Sequence, residues 1–427
     1  MATSAYQVEG ANYNNQWFAW EAAGRIRSGH CCGRACDWWN DWERDFDLAS
    51  LVGVNALRLS VEWSRIEPRP GEWDETAVQR YRRMLQGLHR RGIRPFITLH
   101  HFTHPTWFER RNAFLNPESA TLFERFARRC VQALGDLCTD WVTFNEPNVY
   151  SAMGYALGLF PPGRTGDILG AIRCLGNMAL AHAHAYRAIH ELQPGAQVGW
   201  AHNYLAFQPA NPQSPFDRGV VWVEDQLFNQ TFLGMIRDGS LPFPLNLIMP
   251  ELTCVPDTCD FVGLNVYSRF HVAFDPLNGQ QFGGRMFVPP DAPQGDAESD
   301  LPYGEAYPPV VTSAINAAQS LRKPIYILEN GVPDARDRIR PWLLVNSLRE
   351  LHSAIAAGAD VRGYFHWTLT DNFEWTEGWK LRFGLFELDL ATQRRTMRHS
   401  ARIYSQIVKQ NAVSAEFLAK YGQWERG

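Results

Sequence analysis

Apolar, β-branched runs recur along the chain at 54–61 (VNALRLSV), 93–99 (IRPFITL), 140–145 (DWVTFN), 197–202 (QVGWAH), 260–266 (DFVGLNV), 324–329 (PIYILE) and 361–368 (VRGYFHWT). Between them lie helical patterns at 74–91, 118–138, 168–192, 308–322 and 340–358, with a less regular one at 217–238. Strand alternating with helix implies parallel strands, each reached by a crossover. Helix punctuation agrees: Asn116-Pro117-Glu118 opens one helix, and Gly92 and Gly358 close two others.

The expected class is α/β, a (β/α)8 TIM barrel. Such a barrel needs eight strands, and seven are evident. The missing one should be the first, and only residues 2–7 have room for it. A truncated first strand is therefore expected, leaving backbone donors of its neighbours unpaired. Segment 275–306, rich in Pro, Gly and Asp, reads as a long loop, a lid or rim, with no helix or strand pattern of its own. Neither repeat nor linker divides the 427 residues, and barrels reach this length through loop insertions, so one domain over 1–427 is expected.

Charge narrows the partners. The 41 basic residues are scattered among 45 acidic ones for a net charge of −4, which points away from nucleic acid and anionic membranes. The start, Met-Ala-Thr-Ser-Ala-Tyr-Gln, lacks a basic region and an apolar core, and no apolar stretch is long enough to span a membrane; a soluble, cytoplasmic protein is expected. Cys31, Cys32 and Cys36 stand near His30, yet no matching second pair of cysteines follows, so the thiols read as reduced and no metal is expected. His182, His184 and His190, on one predicted helix, read as structural.

Glu146 in T-F-N-E-P and Glu329 in I-L-E-N-G each end an apolar run and open a polar loop, where a barrel of this class presents its working groups. Asp371, Asn372 and Glu374 follow the last strand. A single glutamate there has a plain alternative, capping a helix N-terminus. Two on separate strands of one mouth, each beside an asparagine, favour catalysis: paired carboxyls are the minimum apparatus for cleaving a glycosidic bond. Most of the 16 Trp and 25 Phe belong to a large aromatic core, with a minority at strand ends suited to stacking on sugar rings.

At these residues the chain resembles glycoside hydrolase family 1, the β-glucosidase family. The resemblance rests on A-T-S-A-Y-Q-V-E-G at 2–10, L-R-L-S-V-E-W-S-R-I at 57–66, T-F-N-E-P-N at 143–148, L-N-V-Y at 264–267, I-L-E-N-G at 327–331, W-T-L-T-D-N-F-E-W at 367–375 and R-F-G-L at 382–385. It implies a retaining β-glycosidase without cofactor, with Glu329 as nucleophile and Glu146 as acid/base, carboxyls about 5 Å apart. It further implies that Arg58 lies near the nucleophile and favours its ionised form. Asn265 and Tyr267 would stand beside it. By the same resemblance Gln7, His101, Asn145, Glu374 and Trp375 would hold the sugar, with Trp367 as a stacking platform. His101 read without the family is as well explained as a core histidine.

Three departures stand out. His101-Phe102-Thr103 replaces the family's usual His-Trp-Asp, removing an indole donor; Trp38 replaces a His; and the usual Phe-x-Trp-Gly before Ala2-Thr3 is absent. The expected partners are β-linked glucosides or short oligosaccharides. A preference for β-galactosides or β-fucosides uses the same residues, and a non-catalytic sugar binder with a defective barrel is the alternative of another class, although a binder gains nothing from a matched acid and nucleophile.

Overall fold

The computed structural model describes residues 1–424 apart from 242, 244, 248–250, 279–282 and 297–302. Seven parallel strands form one curled sheet: β1 (Ala56–Ser60), β2 (Arg94–His100), β3 (Asp140–Asn145), β4 (Gln197–Pro209), β5 (Phe261–Phe274), β8 (Ile325–Glu329) and β9 (Val361–Tyr364), paired in that order. Each apolar run of the sequence therefore becomes a barrel strand. Phe96, Val142, Ala201, Phe261, Leu328 and Phe365 meet in one buried cluster that joins side chains from across the sheet.

The gap between β1 and β9 is closed by three residues. Ala2 bridges both Arg58 and Trp367, and the backbone bonds are Ala2 N–H to His366 O at 3.0 Å, Thr3 N–H to Arg58 O at 2.9 Å and Arg58 N–H to Met1 O at 2.9 Å. The Thr368 hydroxyl donates to Ala2 O at 2.6 Å. Residues 2–7 are thus not a strand, because Ala5–Glu9 is already helical, but the expectation of unpaired neighbours is corrected: Met1–Thr3 supply those partners.

The lid segment also needs correction. β5 runs eight residues past the sequence pattern's end at Val266, and β6 (Gly284–Phe287) and β7 (Glu305–Ala306) pair antiparallel with that extension. Part of the segment lies outside the described residues. The helical patterns appear as Glu75–Arg90, Ser119–Leu134, Ile168–Leu192, Val310–Ala318 and Arg340–Ala356. The irregular pattern at 217–238 resolves into Pro215–Asp225 and Thr231–Asp238, separated by a π-helical turn at Gln226–Gln230 that breaks the period. Gly92 and Gly358 take positive φ just past their helices, as closing glycines do.

His182 is fixed by Thr143 Oγ1 at 2.7 Å and Thr258 O at 2.6 Å; His184 and His190 pair with Glu124 and Asp260. The Cys32 and Cys36 thiols donate to the carbonyls of Tyr6 and Asp371, while Cys31 is exposed. Among the described residues no helix is long and apolar enough to cross a membrane.

Asp371, which follows the last strand, is wholly buried and bound up in the scaffold. Its two oxygens accept from Arg398 at 2.8 and 2.9 Å and from the backbone N–H groups of Gly384 at 2.9 Å and Leu388 at 3.3 Å. It anchors the loop that continues to Glu374. Removing one partner strands a buried guanidinium, so Asp371→Ala should lower the unfolding free energy by about 3–5 kcal/mol. Chemical denaturation checks this, and an unchanged midpoint would show that the pair does not hold the loop.

Candidate active site

Immediately after β3 the chain turns: Glu146 adopts φ 45° and ψ 63°, a left-handed conformation that costs a non-glycine residue about 1–2 kcal/mol. Its N–H donates to Ala201 O at 2.8 Å, tying the turn to β4. Strain of this kind concentrates where side-chain placement matters. The Glu146 carboxyl is 6% exposed, and its Oε1 accepts from Asn203 Nδ2 at 2.8 Å and Asn265 Nδ2 at 2.7 Å. Burial, then the charge of Glu329, pushes its pKa up to about 8 against the pull of the two amides and Arg58.

Glu329 is the last residue of β8 and is 3% exposed. Its Oε1 is ion-paired with Arg58, and its Oε2 accepts from the Tyr267 hydroxyl at 2.6 Å. Burial raises its pKa, opposed chiefly by the Arg58 charge and the tyrosine bond. Arg58 is itself fully buried in β1 and donates to side chains of three other strands: Thr98 Oγ1 at 2.9 Å, Asn145 Oδ1 at 2.7 Å and Glu329. Only Glu329 of the two carboxyls touches a guanidinium, so it ionises first and its charge then holds the proton on Glu146.

Glu374 is the third carboxyl. Gln7 Nε2 donates to its Oε2 at 3.1 Å and the Tyr303 hydroxyl to its Oε1 at 3.4 Å. Burial, followed by the charges of Glu329 and Glu146, pushes its pKa up to about 8. Its side chain makes no capping bond to the short turn at Trp375–Glu377, which removes the capping alternative. His101 lies nearly parallel to both Trp367 and Trp375, each 5.9 Å away at 19° and 20°. Burial, then the Arg58 charge, holds its pKa well below the usual histidine value, so the ring is neutral. Its Nδ1 meets no protein partner.

These groups surround a cavity open to solvent. Glu146, Glu329, His101, Asn145, Tyr267, Trp367, Glu374 and Trp375 line it, whereas Gln7, Arg58 and Asn265 stand behind the wall and hold lining carboxyls in place. Phe102 also lines the cavity with φ 67°, and its carbonyl accepts from Gln16 and Trp17. Sequence reasoning missed Asn203 and Tyr303. Asn203 had a signal, being the first polar residue after the run at 197–202; Tyr303 had none, since it sits in the segment without pattern. No Lys or Arg is among the described residues lining the cavity.

Comparison with known proteins shows the family. Glycosyl hydrolase family 1 matches residues 1–413. Beta-glucosidase A of Thermotoga maritima is 30% identical over 97% of both chains. A 6-phospho-beta-galactosidase of Streptococcus equi subsp. zooepidemicus is 31% identical, again over 97% of both. The solved beta-glycosidase from Pyrococcus horikoshii superposes with a TM-score of 0.88 at 33% identity, covering 100% of this chain and 96% of that one. The chain belongs to glycosyl hydrolase family 1 and is a retaining β-glycosidase of the TIM-barrel type.

Proposed function

We propose that the chain hydrolyses terminal non-reducing β-D-glucosyl residues of neutral glycosides, with the barrel over residues 1–427 as a single catalytic unit. The observation that carries this is the asymmetric carboxyl pair: Glu329 against a guanidinium, Glu146 against two amides. The Glu329 carboxylate attacks the anomeric carbon as the bond to the aglycone oxygen breaks, and the Glu146 proton passes to that oxygen. Water then attacks the glycosyl ester while Glu146 takes its proton, releasing sugar and restoring both groups. Arg58 and Tyr267 hold the nucleophile, and Asn145 and Asn265 link it to the acid/base side.

Glu374, His101, Trp367 and Trp375 would receive the sugar, hydroxyls on the polar atoms and the apolar ring face on indole. Gln7 would act by fixing Glu374 rather than by touching the sugar. Because one relative is named a 6-phospho-beta-galactosidase, the phosphate question is specific. A phosphate dianion would enter a pocket lined by four carboxyl groups, Glu146, Glu329, Glu374 and Glu377, with no Lys or Arg among the described lining residues, an uncompensated buried charge. Glucoside, galactoside and fucoside compared in one assay separate the sugars.

A slowly turned-over 2-deoxy-2-fluoro glucoside should label Glu329, located by peptide mapping. Label on another carboxyl would sink the assignment.

Glu146→Ala should slow substrates with poor leaving groups about 10²–10⁴-fold while sparing activated aryl glycosides in the first step. The raised pKa sets the pH dependence: the acid keeps its proton below about 8 and loses it above, so kcat/KM for poor leaving groups should fall as pH rises through that value. In Glu146→Ala the basic limb should vanish. Its persistence would transfer the limb to Glu374.

For Glu374, kcat/KM for an aryl β-glucoside should exceed that for its 6-phosphate by about 10²-fold or more, as expected for several kcal/mol of unpaired charge. Preference for the phosphate would overturn the neutral-substrate reading.

A further inference from the structure

Tyr303 lines the cavity from the segment between β5 and β8, and what holds it there is local and specific. β7, which begins two residues past it, pairs antiparallel with Ser268 and Arg269 on β5. Arg269 donates to both Glu305 oxygens at 2.8 and 2.7 Å and to Gln208 Oε1 at 2.6 Å, and its Cζ lies 3.7 Å from the centroid of the Tyr307 ring. Between this anchor and the tyrosine stands Gly304, at φ 93°, where a Cβ would fall 2.3 Å from Ser268 Cβ. Only glycine lets the chain pass this close to β5 and bring Tyr303 into the cavity.

The anchor sets Tyr303 between two functional carboxyls. Its ring stands edge-on to Tyr267, centroids 6.0 Å apart at 84°, and to Phe383 at 5.1 Å and 65°. The Tyr267 hydroxyl donates to Glu329 at 2.6 Å, whereas the Tyr303 hydroxyl donates to Glu374 Oε1 at 3.4 Å. A hydroxyl bonded to a carboxylate settles at about 2.5–2.7 Å, so the first bond is complete and the second is open. Glu374 Oε2 is meanwhile held by Gln7 at 3.1 Å, which fixes the carboxyl with its open side toward Tyr303. Filling space does not explain this residue: a phenylalanine ring would pack equally well against Tyr267 and Phe383, and only the hydroxyl reaches Glu374.

Resting on the proposed function above, we infer that Tyr303 is a specificity-determining residue that reads one sugar hydroxyl jointly with Glu374. A sugar hydroxyl donates and accepts at once, so one placed at the open contact accepts from Tyr303 and bonds Glu374 Oε1. The contact it replaces is long, and little is lost in replacing it. A sugar without that hydroxyl leaves both protein groups poorly paired, and a site built to bond a hydroxyl rejects the analogue that lacks it. Discrimination at this position therefore comes from the segment pinned to β5, while acid and nucleophile stay on the barrel strands.

The test compares 4-nitrophenyl β-D-glucoside with its 3-, 4- and 6-deoxy analogues, which remove in turn each hydroxyl away from the reacting carbon and its neighbour. Wild type and Tyr303→Phe are assayed on all four, and the parent-to-analogue ratio within one preparation cancels any loss of folded protein. We expect Tyr303→Phe to lower kcat/KM for the parent about threefold to tenfold and to leave at least one analogue, the one lacking the hydroxyl that is read, within about twofold. Equal losses on the parent and all three analogues would make the hydroxyl a structural brace and overturn the inference, as would an unchanged parent. In Gly304→Ala, which displaces the tyrosine, the ratio for that same analogue should fall likewise; a ratio at the wild-type value overturns the part played by the segment. Absence of wild-type turnover of the parent overturns the proposed function together with this inference, whereas turnover with either failing pattern overturns this inference alone.

Discussion

The Arg58 guanidinium, fully buried in the barrel, is the interaction on which the site depends. Moving a carboxylate from water into a low-dielectric interior is prohibitive unless a counter-charge and hydrogen bonds meet it. Four carboxyl groups line this pocket, and behind its wall the Arg58 guanidinium pairs with one of them, fixed by Thr98, Asn145 and Glu329 on three different strands. Its planar fork matters: an ammonium on a flexible stem has no rigid set of donors to hold three strands in one geometry. Because the cation contacts only Glu329, the carboxyls are made unequal by position, and unequal ionisation is what acid and nucleophile chemistry requires.

Closure of the barrel serves the same end. Arg58 keeps its place in β1 because Met1 and Thr3 bond its backbone from the side on which no long strand stands. The same three residues reach His366 and, through Ala2, the stretch before Trp367, so glycone wall and guanidinium share one backbone connection. On the next turn, Gln7 in helix Ala5–Glu9 braces Glu374. Nine residues thus join barrel closure, cation and sugar-binding wall, and a shift in one would be felt in the others.

What was legible in the sequence follows from locality. Glu146 and Glu329 stood out because each ends a buried strand, where an apolar run changes abruptly to polar. The extensions of β4 and β5 did not: residues 204–209 are half-buried throughout, held by pairing with β5 across more than sixty residues of sequence, so no one-sided pattern marks them. β6 and β7 are short and defined only by their partner. The π turn at Gln226–Gln230 was visible merely as irregularity in 217–238, since an inserted residue destroys the period that would reveal a helix. Roles for Gln7, His101 and Trp367 came from family resemblance. A buried glutamine three bonds deep in a network has no local signature.

A contrast in hydrogen bonding separates scaffold from site. Asp371 with Arg398, Asp45 with Arg395 and Glu9 with Arg65 and Tyr81 are buried charges whose oxygens are met by donors within the protein. At the mouth the partners run short: His101 Nδ1, Asn203 Oδ1 and Asn265 Oδ1 are buried without protein partners, and the Tyr303 bond to Glu374 is long. An unmet buried polar atom costs about 1–3 kcal/mol, so selection for stability alone would remove such a group. His101 and Asn203 line the cavity beside the left-handed turn at Glu146, so a bound ligand can supply the partners they lack. A sugar, carrying donors and acceptors around an apolar ring, has the chemistry to supply them.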